Sequence, residues 1–107
     1  MKPLSENEKK WVRSKWGLIR ESQQAADAAN NEWTRINELI NRRHFATDTQ
    51  RMRAGREPLS DLMKAEDKSS SLPLNDALAT GTWHSRNAER HIHDVQLFLK
   101  LKELDLL

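Results

Sequence analysis

Between Val12 and Ile40 an apolar residue returns every seven positions: Val12, Ile19, Ala26, Trp33 and Ile40. Trp16, Ala29 and Ile36 fill the intervening three- and four-residue steps. Positions so spaced keep to one side of a helix with 3.6 residues per turn, so the stripe predicts a single amphipathic helix of roughly eight turns or more. Ser5 and Glu8 precede it at capping-box spacing. The hydroxyl can accept from a free N–H of the first turn while the carboxylate reaches back to the cap. The expected span runs from about residue 6 to about residue 45. Gln23, Asn30 and Asn37 lie on the facing positions of this seam; polar groups there need partners and can fix register or oligomeric state.

A second stripe lies near the other end of the chain. Ala88, Ile92, Val95, Leu99 and Leu106 share one side of a helix, and Leu97, Phe98, Leu101 and Leu104 widen it. The expected helix spans about residue 75 to about residue 105. Asn75 or Asp76 serves as its cap, and Gly81 offers a point of interruption from which Thr82 restarts it. From Val95 onward the chain is apolar around most of the helix circumference, and such a helix demands burial on most sides. Val95, Leu97, Leu99 and Leu101 also alternate as a strand would. Helix is preferred because the chain holds no second strand to pair with.

The middle, about residues 46–72, reads as a linker with a short helix. Thr47 to Arg56 offers almost no core-forming residue and reads as a frayed helix end or an ordered loop. Pro58 can open a short helix with Leu59, Leu62 and Met63 on one face. Ser69, Ser70 and Ser71 ahead of Pro73 read as a loop. The predicted fold is therefore all-α: one domain over residues 1–107, with two long amphipathic helices as an antiparallel hairpin. One hairpin of this length buries little. Two of them about a two-fold axis would make a four-helix bundle with coiled-coil character and cover the apolar tail. The expected dimer seam is Val95, Phe98, Leu99, Leu101 and Leu104.

Composition supports a thin core. Of 107 residues, 36% are hydrophobic and 32% charged, fewer apolar residues than a globular domain usually carries. There is no cysteine, which removes disulfides, thiolate chemistry and sulfur-ligated zinc. No apolar run of signal-peptide or membrane-spanning length occurs, so the sequence reads as cytoplasmic. The small size suggests a bacterial or phage accessory protein. The net charge of +2 is uneven. Residues 1–57 hold 12 basic and 8 acidic groups (+4), and residues 58–107 hold 6 and 8 (−2).

Few residues suggest chemistry. His84, Asn87, His91 and Asp94 share a helix face, but two histidines seven residues apart lie about 10 Å from one another, too far to ligate one ion directly. No HxxxH or HExxH pattern occurs, and no carboxylate pair has the spacing of a di-metal helical bundle. No catalysis, metal or cofactor is expected. Arg42, Arg43, Arg51, Arg53 and Arg56, with His44 nearby, form a basic segment. Arginine suits phosphate and carboxylate recognition, and the same charges complement the negative end of the first helix. Trp11 and Trp16 stand among Lys9, Lys10, Arg13 and Lys15. Trp16 belongs to the stripe, whereas Trp11 points elsewhere, alongside Leu18. An exposed tryptophan is a common binding anchor. Trp33 is expected in the core, and Trp83 against the first helix. The sequence thus favours a small protein-interaction module (adaptor, inhibitor or accessory factor) that binds through Trp11, Trp16 and the arginines, with self-association. The alternative is a nucleic-acid-associated helical protein using the basic segment.

Overall fold

The computed structural model describes residues 3–106. They form three helices, α1 (Glu6–Arg53), α2 (Asp61–Ser69) and α3 (Leu72–Glu103), and no strand among the described residues. The capping box is formed: Ser5 N–H donates to Glu8 Oε1 at 2.9 Å, and Glu8 N–H donates to Ser5 Oγ at 3.2 Å. The chain divides into two compact units. Unit 1 takes the stretch of α1 up to Asp27 and the stretch of α3 from Gly81; unit 2 is Ala28–Thr80.

In unit 1 the two stretches pack side by side and antiparallel. Four cross-helix contacts fix the register. Lys102 Nζ lies 3.0 Å from Glu8 Oε1, and Lys15 Nζ 3.0 Å from Asp94 Oδ2. The Trp11 and Phe98 rings are 4.9 Å apart, and Asn87 donates to Ser22 Oγ at 3.3 Å. Partners on α3 descend as positions on α1 ascend. Ile19, Ser22, Ala26, Gly81 and Ala88 are buried. Three of these five are alanine or glycine, so the helix backbones can approach closely, as small residues at a crossing permit.

In unit 2 the buried residues are Ala29, Ile40, His44, Leu74 and Ala77, and Trp33 is half-buried. Two carboxylates hold α2. Asp48 accepts from Lys64 Nζ at 2.6 Å and from the Leu59 N–H at 2.7 Å. Asp67 accepts from Arg43 and lies 2.6 Å from His44 Nε2.

Several boundaries differ from expectation. The segment from Thr47 is helix to Arg53, because Asp48 gains partners from the following connector. The short helix starts at Asp61 on a Ser60 cap, whose hydroxyl accepts from Met63 N–H at 3.3 Å, rather than at Pro58. The third helix starts three residues early, at Leu72. Pro73 is tolerated in a first turn, where its missing N–H has no partner to lose. Asn75 is inside this helix and its side chain bonds back to the Ser69 carbonyl at 2.8 Å. Gly81 is buried and does not interrupt α3, and the tail is helical to Glu103.

Candidate interaction face

Trp11, Leu18 and Ala25 also recur every seven residues, one position before the main stripe, so they follow it along the flank of α1. On α3, Trp83 and Leu97 lie on the same side of unit 1. Two shallow hollows show this. One, of about 260 Å³, is lined by Leu18, Glu21, Ser22, Ala25, Trp83, His84 and Asn87. The other, of about 270 Å³, is lined by Trp11, Asp94, Leu97, Phe98 and Leu101. Trp83 is 62% exposed, Leu97 50%, Leu18 43% and Trp11 37%. Each square ångström of such surface kept in water forgoes roughly 25 cal/mol.

The other flank of α1 is charged. Lys9, Arg13, Trp16 and Arg20 follow one another at four-, three- and four-residue steps and are all exposed. Glu89, Gln96, Lys100 and Glu103 are exposed on α3. Unit 1 is thus a two-helix layer whose exposed large apolar residues gather mainly on one side, with Trp16 standing among the charges of the other.

The polar groups beside the apolar side are spent on holding the layer. Lys15 is largely buried, with 19% of its side chain exposed. It donates to Asp94, lies 3.2 Å from His91 Nδ1 and sits 5.6 Å from the Trp11 ring centroid. The Lys15 hydrogen bond holds the Asp94 carboxyl below its ordinary value, against the opposing effect of desolvation. Glu8 is lowered likewise, first by the Ser5 N–H and then by Lys102. The four residues of the predicted polar face, His84, Asn87, His91 and Asp94, therefore do not converge. His84 packs edge-on to Trp83 at 4.7 Å, Asn87 bonds Ser22, and His91 and Asp94 share Lys15. No metal-ligand cluster occurs among the described residues.

The predicted site residues separate. Trp11 is on the apolar side, packed on Phe98; Trp16, placed on the stripe by its spacing, is 58% exposed on the charged side. Three residues short of Ile19, position 16 lies about 60° round the helix from it, on the side opposite the buried Ser22. Trp83 does not bury itself against α1 but stays exposed. Of the expected seam, Phe98 and Leu101 line the second hollow, Val95 and Leu99 are half-buried, and Leu104 is exposed. The arginines belong to unit 2. Arg43 pairs with Asp67, and Arg51 Nε donates to the Glu57 carbonyl at 2.7 Å. Arg42, Arg53 and Arg56 are exposed. His44, expected to add charge to an open basic segment, is buried against Asp67. Leu18, Ala25, Trp83 and Leu97 were missed as site residues; the seven-residue series Trp11, Leu18, Ala25 was the available signal.

No family model, no curated protein and no solved structure matches the chain. No helix among the described residues is long and apolar enough to cross a membrane.

Proposed function

We propose that this protein is a helical interaction module that works by binding another polypeptide through the apolar side of unit 1. The observation that carries this reading is the asymmetry of the layer. Trp83, Trp11, Leu18 and Leu97 stand open on one side, with Glu21 and Arg90 among them, while the other side exposes, among the described residues, one large apolar residue, Trp16, amid Lys9, Arg13 and Arg20. Exposed apolar side chains gathered on one side, with polar groups among them, mark association sites, and aromatic residues supply most of their binding energy.

The test is site-specific photo-crosslinking in the cells that make the protein. A benzophenone amino acid at Leu97 should give adducts of defined mass, and the same group at Arg20 should not. Equal adducts from both positions, or none from either, would overturn the reading.

The basic segment gives a second reading, nucleic-acid association, which rests on Arg42, Arg53 and Arg56 standing exposed. Two of the five arginines are already bonded within unit 2, which lowers the charge left for phosphates and ranks this reading second. Reversing Arg42 and Arg53 to Glu should abolish any salt-dependent binding to a nucleic acid.

A further inference from the structure

We infer that the occupant of the apolar side of unit 1 is a second copy of the same chain, stacked so that α1 of each copy lies on α3 of the other. This rests on the interaction-module reading and names its partner.

Charge complementarity points to it. Glu21 lines the first hollow. Arg90 lies three residues after Asn87 and four before Asp94, both of which line the hollows, so it shares their side of α3. Glu21 and Arg90 are exposed and enter none of the ion pairs among the described residues. The register set by Ser22–Asn87 and Lys15–Asp94 brings them to nearly one height along the layer, within about two residues, or ~3 Å. A two-fold axis parallel to the helices preserves height and exchanges α1 for α3. It therefore sets Glu21 of each copy against Arg90 of the other, twice.

Size complementarity agrees. The same operation brings Trp83, the most exposed tryptophan, over Ala25, the smallest residue of the α1 flank, at nearly the same height. It brings Trp11 over Leu97 and Leu101. A patch of two tryptophans and four smaller apolar side chains offers a few hundred Å² per copy. Doubled, it approaches the low end of specific interfaces, roughly 1,200 Å², and the Glu21–Arg90 pairs add polar area at its edge.

The experiment is sedimentation of the purified full chain across a wide concentration range, with Glu21→Arg, Arg90→Glu and the double exchange. Wild type should sediment as a dimer. Each single variant should keep its helical circular dichroism and dissociate with a Kd raised roughly ten-fold or more, because it sets like charges together twice. The double exchange should restore the wild-type Kd. A single-chain mass for wild type at every concentration would overturn the inference. So would a double exchange no tighter than the single variants. Adducts from Leu97 to a different protein, with a monomeric purified chain, would keep the interaction reading and reject the second copy.

Discussion

At Gly55 the backbone turns left-handed, with φ 76°, and the helix ends there. The Arg56 N–H returns to the Arg51 carbonyl at 2.8 Å and the Gly55 N–H to the Met52 carbonyl at 3.1 Å, which is the Schellman pattern. A Cβ at Gly55 would meet no neighbour within 4 Å, so only the local backbone opposes it. That opposition is about 1 kcal/mol. Gly55→Ala should therefore lower the melting temperature by roughly 4 °C, and an unchanged melt would show that this end is already frayed. The same pattern closes α3, with Leu106 N–H on the Leu101 carbonyl at 2.9 Å and Asp105 N–H on the Lys102 carbonyl at 3.1 Å. Here the left-handed residue is Asp105, with φ 55°. Glycine adopts this conformation freely, whereas aspartate tolerates it without requiring it. The stop at Gly55 was not placed from the sequence: the first helix was expected to end near residue 45.

Among the helices, α2 depends most on its neighbours. Nine residues with none buried cannot hold a helix by themselves. Asp48 supplies the support, since one carboxylate takes both the Leu59 N–H at the entry and Lys64 within the helix. Asp48→Ala removes both at once and leaves the half-buried Lys64 ammonium unpaired. Amide protection across residues 61–69 should fall while that of residues 6–27 stays unchanged. Protection lost equally in both stretches would mean that α2 is not held separately. This support also explains what the sequence showed and hid. The stripe from Val12 to Ile40 and the Ser5–Glu8 cap made the long helix visible, because both are local. Its last two turns were hidden, because what steadies them arrives from Leu59 and Lys64, eleven and sixteen residues further on. The interaction side was half visible. Trp11 was flagged as off the stripe, but its contact with Phe98 spans most of the chain, and only the antiparallel register brings Leu97 and Trp83 to the same side.

The charge pattern of the whole chain sets its response to acid. Among the described residues five carboxyls lie below their ordinary values, each through a named donor. In unit 1 these are Glu8, through the Ser5 N–H and Lys102, and Asp94, through Lys15. In unit 2 they are Asp48, through Lys64 and the Leu59 N–H, Asp67, through Arg43 and then His44, and Glu32, through Arg35. A carboxyl whose folded pKa is lowered stabilises the fold above its unfolded pKa. That contribution disappears as pH falls through the folded value. Since unfolded carboxyls titrate near pH 4, the melting temperature should hold steady from about pH 7 to 5 and fall steeply below about pH 4. Four of the five carboxyls, Glu8, Asp94, Asp48 and Asp67, bond to residues distant in sequence; Glu32 is paired only with its own helix neighbour, and such exposed pairs contribute little. Glu8→Gln with Asp94→Asn should therefore flatten the acid limb for unit 1 alone, read as Trp11 fluorescence in a chain whose other tryptophans are phenylalanine. A limb as steep as wild type would show that the bonds of Lys15 and Lys102 across the layer do not hold unit 1 together, and that its apolar contacts suffice.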